Sequence, residues 1–166
     1  MSILADLRRP SHTTLVFWAV TTIFVGITVA WLLLNRAPPQ WDDSFYLTHS
    51  LNMFDALEEG GLLGYVKEFL SGLRTKPPLI TVLPTPVYLV LGRKPQVAYA
   101  VNLVSMLVFF ASLYKIGSQY WNKHVGLIAV YITGTMPLLY GLARWFLVDF
   151  TLTALVCLTL SLLTAT

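Results

Sequence analysis

The chain has 166 residues, 56% of them hydrophobic and only 11% charged, with a formal net charge of +3 and a mean hydropathy of +0.68. Soluble domains carry roughly a quarter charged residues, so this composition excludes an ordinary soluble domain and points to a membrane protein. The small, scattered positive charge gives no basis for nucleic-acid binding, and the single cysteine, Cys157, excludes an intramolecular disulfide.

Arg8 and Arg9 precede an apolar run from Thr13 to Leu34. Secretory h-regions reach only about 7–15 residues and end at a small-residue cleavage site. This run is longer, matching the roughly 20 residues that cross a 30 Å hydrocarbon core. It reads as an uncleaved signal-anchor with Arg8 and Arg9 on the cytoplasmic side.

A polar stretch, 36–76, follows and holds six of the eight acidic residues. Within it, Ser44 to Glu58 places Phe45, Leu47, Leu51, Phe54 and Leu57 near helical spacing, and Gly60-Gly61 marks the end. A second short helix is expected from Leu62 to Leu73, with Leu63, Val66, Phe69, Leu70 and Leu73 on one side. Both read as amphipathic helices at the membrane surface.

Segment 77–92 is apolar but has only 16 residues and carries Pro77, Pro78, Pro84 and Pro86. An ideal helix of this length reaches about 24 Å, and the inner prolines break it, so it is read as interfacial or re-entrant. Runs 96–114, 125–143 and 147–166 are expected to be spans. The prediction is therefore an all-α, polytopic membrane protein with about four transmembrane helices. Residues 36–95 form its first external loop, with juxtamembrane helices. Four spans put Asp42 and Asp149 on one face; a fifth span at 77–92 would separate them. Trp41, Trp121 and Trp145 fall at span ends, as an aromatic belt places them. Because the last run stops without a loop or charge, residues 1–166 are expected to be the N-terminal module of a longer protein.

The residues that carry chemistry are acids and cations near one membrane face. Asp42-Asp43 follows the first span, and Asp149 lies between apolar runs, where charges are costly and tend to mark function. The plain reading of the pair is helix capping by Asp43 or Ser44. The functional reading is a general base or a metal-binding pair; carboxylates suit Mg²⁺ or Mn²⁺. Lys76, held extended by Pro77-Pro78, suits a phosphate. Arg74 and Arg144 are further candidates, and Arg144 pairing with Asp149 is the plain alternative for both. His12, His49 and His124 show no metal-ligand spacing, and His49 reads as a surface histidine. Cys157 reads as an inert lipid-facing or helix-packing thiol.

In order, Trp41-Asp42-Asp43-Ser44-Phe45-Tyr46, Lys76-Pro77-Pro78-Leu79, Leu91-Gly92 and Ala143-Arg144-Trp145-Phe146-Leu147-Val148-Asp149-Phe150-Thr151-Leu152 resemble the N-terminal module of GT-C glycosyltransferases. Within that superfamily the chain resembles the protein O-mannosyltransferase and lipid A aminoarabinose transferase branch. The resemblance implies an inverting transfer of a sugar from a polyprenyl-phosphate donor to an acceptor hydroxyl. The acceptor would be a lipid, glycan or protein, and the site would face the exterior or lumen of a plasma, inner or ER membrane. It assigns the catalytic positions to Asp42 and Asp43, a donor-phosphate cation to Lys76 with Arg144 as second candidate, and an acceptor, sugar or metal role to Asp149. Some relatives carry arginine just before the tyrosine, where this chain has Phe45. The resemblance makes no cofactor certain: Mg²⁺ or Mn²⁺ at the carboxylates is one expectation, and some relatives need no metal. The alternative class is a non-catalytic membrane subunit or a transporter fragment. Transporters need polar residues along their spans, whereas the charges here gather near span ends.

Overall fold

The computed structural model describes residues 11–35, 37–73 and 77–164; Arg8, Arg9, Arg74 and Lys76 lie outside them. Among the described residues all regular structure is helical: α1 (His12–Leu34), α2 (Trp41–Gly72), α3 (Leu79–Val82), α4 (Thr85–Leu91), α5 (Pro95–Ala98), α6 (Ala100–Tyr120), α7 (Lys123–Thr135), α8 (Pro137–Leu142) and α9 (Val148–Leu163). The expected all-α membrane class is what forms. His12–Leu34 and Pro95–Tyr120 are each long and apolar enough to cross a membrane, and Leu79–Leu91 and Val148–Leu163 are shorter apolar stretches.

Four legs make the bundle: α1, α6, the α7–α8 pair and α9. Near its start α1 stacks Phe17 on Tyr114 from late α6, and further on Phe24 meets Phe110, so the two run antiparallel. At the closed end of the α6–α7 hairpin the backbones nearly touch, because a Cβ on Gly117 would lie 2.6 Å from Gly126 Cα. Parallel to α6, α9 shares hydrogen bonds with it from Ser105–Thr151 at one end to Gln119–Thr164 at the other. A core of Phe17, Met106, Phe109, Phe110, Val130, Ala143, Phe150 and Ala154 joins these legs.

The third leg, at the expected span 125–143, is broken rather than continuous. It is two helices, with Met136 extended at φ −66° and ψ 123° between them. Pro137 causes the break: it has no N–H to continue the ladder, and it restricts the residue before it to extended geometry. The 96–114 span also runs further than expected, to Tyr120.

Across the end of the bundle where α1 finishes lies α2, bent into two arms at Gly61, whose φ of 58° and ψ of −153° only glycine adopts without strain. The helices begin and end close to the sequence expectation, with the start at Trp41 rather than Ser44. The inward face of the first arm differs from the one expected. Asp43, Tyr46, Leu47, Ser50, Met53 and Phe54 are buried, while Phe45 is exposed. In the second arm Leu62, Leu63, Val66 and Leu70 are exposed, as a helix lying on a membrane surface would leave them. Prolines divide 77–92 into α3 and α4, as expected. These helices join a second core of Tyr46, Leu47, Phe54, Ile80, Tyr88, Ala98, Val101 and Phe146. Polar contacts tie α2 to this layer: Ser50 Oγ with Tyr88 Oη at 2.9 Å, Tyr65 Oη with Thr85 Oγ1 at 3.0 Å, and Arg93 paired with Asp55. Gly92, at φ 83°, turns the chain from α4 toward α5.

Candidate active site

Trp41, Asp42 and Asp43 form the first turn of α2, and Gln40 is the N-cap, with no side-chain cap bond. Neither Asp43 nor Ser44 caps the helix, so the plain reading of the pair does not hold in that form. Asp42 is exposed, and Asp43, one residue on, is only 6% exposed. Tyr99 Oη donates to Asp43 Oδ2 at 2.9 Å, with Oδ1 at 3.1 Å. The backbone N–H of Phe146 donates to Oδ1 at 2.9 Å. Burial pushes the Asp43 carboxyl above the usual carboxylate range, while the bonds from Phe146 and Tyr99 act the other way.

The Phe146 bond brings the segment between α8 and α9 against the start of α2, across 103 positions of sequence. Asn102, buried in α6, holds the same segment: its Nδ2 donates to Ala143 O at 3.2 Å and to Trp145 O at 2.7 Å. The segment carries Arg144, and Asp149 follows in the first turn of α9. Asp149 is exposed, and an acid there is favoured by the helix dipole.

Arg144 does not pair with Asp149. Its guanidinium lies on the Tyr140 ring, with Cζ 3.5 Å from the centroid, and 5.2 Å from the Trp31 ring centroid at the end of α1. Its Nη2 also donates to Tyr140 Oη, while Nε is buried without a partner. Burial lowers its pKa from the ordinary value, but an arginine remains charged. Stacking and the Tyr140 bond hold the guanidinium in place, and its permanent charge attracts an anion.

His49 is not a surface histidine. It sits 12% exposed between the arms of α2, with Nδ1 3.2 Å from Glu68 Oε1. A Cβ on Gly72 would lie 1.9 Å from His49 Nε2, so any larger residue there would make the imidazole shift. Beside it an open cleft of about 480 Å³ lies between the arms, lined by Trp41, Thr48, Asn52, Glu68 and Ser71 among others. Trp41, 94% exposed, stands at its edge. Trp121 and Trp145 are exposed at helix ends. Cys157, half-buried, packs against the bundle core.

Thus the described site residues Asp42, Asp43, Arg144 and Asp149 belong to one end of the bundle, and Lys76 lies outside the described residues. Among the described residues no group of three His, Cys, Asp or Glu side chains is placed to hold a metal ion, so the three aspartates do not converge. Tyr99 and Asn102 escaped the motif reading. An asparagine inside an apolar run was the available signal, because a buried amide must find partners.

A family model described as dolichyl-phosphate-mannose-protein mannosyltransferase matches residues 75–166, more than half of the chain. The matched region contains Tyr99, Asn102, Arg144 and Asp149 and begins after Asp42 and Asp43. No curated protein and no solved structure matches the chain.

Proposed function

The chain belongs to the dolichyl-phosphate-mannose-protein mannosyltransferase family, glycosyltransferases of the GT-C type, and from that premise we propose that it moves a sugar from a polyprenyl-phosphate donor to an acceptor hydroxyl. The reaction takes place at the external or lumenal face of a membrane that the chain crosses several times. Residues 1–166 act as its N-terminal transmembrane module, with 36–95 as the first external loop.

Asp42 is the general base. Its carboxylate takes the proton of the acceptor hydroxyl, whose oxygen forms the new bond to the anomeric carbon. The bond from that carbon to the phosphate oxygen breaks, and its electron pair leaves with the polyprenyl phosphate. A single displacement inverts the anomeric centre. Negative charge grows on the departing phosphate, and fixed positive charge preorganised there lowers the barrier. Arg144 is suited to this by its stacked guanidinium and permanent charge, and Lys76 by its place before Pro77-Pro78. The hydroxyl, amide and carboxylate groups of the α2 cleft offer partners for a hydroxyl-bearing acceptor. Asp149 orients the acceptor or the sugar from the first turn of α9.

One observation carries this reading: the Asp43–Phe146 bond, which sets the helix turn bearing Asp42 against the segment bearing Arg144. The test separates catalysis from folding at Asp42. Asparagine is nearly isosteric with aspartate and at this first-turn position forfeits only about 0.3–1 kcal/mol of interaction with the helix dipole, but it is no base. Asp42→Asn in the full-length protein should keep wild-type expression and thermal stability while transfer falls by about 10²–10⁴-fold. Wild-type transfer in Asp42→Asn would remove the base role.

A further inference from the structure

We propose that Tyr99 is a positioning residue for the transfer reaction: bound to the buried carboxylate of Asp43, it keeps the helix start that bears Asp42 in register with the segment that bears Arg144. The inference rests on the reading of Asp42 and Arg144 above and assigns Asp43 to holding rather than to proton transfer.

Three observations carry it. First, the partners of Asp43 are one hydroxyl and one backbone N–H, and no ion pair reaches it among the described residues. A buried carboxylate is costly when no cation compensates it, and an apolar side chain would fill the place with less penalty. A carboxylate is useful there because it accepts from two elements at once. Second, Tyr99 reaches both oxygens of Asp43 while its ring meets the Phe146 ring edge-on, centroids 6.0 Å apart, so one side chain contacts both bodies being aligned. Third, Asn102 is three positions on, on the same side of the helix, and bonds the carbonyls of Ala143 and Trp145, which bracket Arg144. The backbone on either side of the cation is thus fixed by α6, and its tie to α2 passes through Asp43. Small displacements matter here, since a misplacement of about 1 Å can cost a hundredfold in rate.

The experiment uses the full-length protein in nanodiscs with a polyprenyl-phosphate sugar, and follows kcat, donor KM and backbone hydrogen exchange. Tyr99→Phe removes one oxygen and keeps the ring. It should lower kcat/KM at least tenfold, with donor KM raised, and speed exchange in the 143–149 peptide. Asp43→Asn retains an oxygen for Phe146 N–H and gains an amide that can donate to Tyr99 Oη, so it should keep more activity than Asp43→Ala. Arg144→Gln should raise donor KM without changing exchange at 143–149. Combined with Arg144→Gln, Tyr99→Phe should cost less than a further twofold in donor KM, because the cation it places is already gone. Fully additive costs, or wild-type exchange in Tyr99→Phe, would overturn the positioning role. Wild-type kinetics in Arg144→Gln alone would instead overturn the phosphate role; positioning then stands only if Tyr99→Phe still lowers kcat. Should Asp43→Ala misfold, Tyr99→Phe carries the test by itself.

Discussion

Asp42 and Asp43 are neighbours in sequence but about 100° apart around a helix. Starting α2 at Trp41 therefore turns one outward to water and the other into the protein. The acidic pair is legible as a signal from sequence alone; how it divides is not, because the partners of Asp43 lie 56 and 103 positions away. The division has a consequence for stability. Burial raises the Asp43 pKa above the ordinary carboxylate range, so the folded protein holds that proton more tightly than the unfolded chain does. Between the two pKa values the folded state binds more protons, and stability falls as pH rises through that window. Asp43→Asn cannot ionise. Its stability relative to wild type should therefore improve as pH is raised from about 4 and level off once Asp43 is ionised in both states. Thermal unfolding of both proteins in detergent across that range measures the difference. A difference that grows in the opposite direction would mean the two hydrogen bonds outweigh burial.

At the scale of elements, prolines and glycines explain most of the agreement and the main disagreement with the sequence reading. Pro84 and Pro86 visibly interrupt 77–92, and Gly60-Gly61 visibly ends a helix, so these breaks are legible locally. Pro137 is equally visible, but its run is long enough to cross a membrane, so length favours an unbroken span there although the proline breaks the helix by the same rule. The inward face of α2 is hidden for another reason: it includes Asp43 and Ser50, whose burial depends on Tyr99, Phe146 and Tyr88 from other elements. Glycine also sets the α6–α7 hairpin. A Cβ on Gly126 would lie 2.6 Å from Tyr114 O, a backbone atom that cannot swing aside. Gly126→Ala should destabilise the protein by about 1–3 kcal/mol, the usual range for overpacking. Gly26→Ala is the control, since nothing lies within 4 Å of a Cβ there. Removing a helix-interior glycine should be neutral or stabilising by up to about 1 kcal/mol. Equal effects at both positions would show that the hairpin can open without cost.

For the whole molecule, the question left open by counting apolar runs is which loops share a face. Length and proline content favour four crossings, but the distribution of cations is compatible with five. Long-range hydrogen bonds bear on it directly. Tyr99 at the start of α6, Phe146 before α9 and Asp43 at the start of α2 meet at one carboxylate, so these three helix starts share one end of the bundle. Gln119 and Thr164 meet at the opposite end, where α6 and α9 finish. In a chain whose four bundle legs each cross once, a further crossing by 77–92 would put Asp43 and Phe146 on opposite faces, so the 2.9 Å hydrogen bond between them supports the four-crossing reading. The prediction uses exposed positions and a Cys157→Ala background. Single cysteines at Ala37 and Trp145 should react with a membrane-impermeant maleimide from the same side of sealed vesicles. A cysteine at Gln119 should react only from the other side. With Arg8 and Arg9 cytoplasmic, Ala37 and Trp145 would be the external pair. Labelling of Ala37 and Trp145 from opposite sides would separate Asp42 from Arg144 and Asp149, and no single-face transfer site could be built from them.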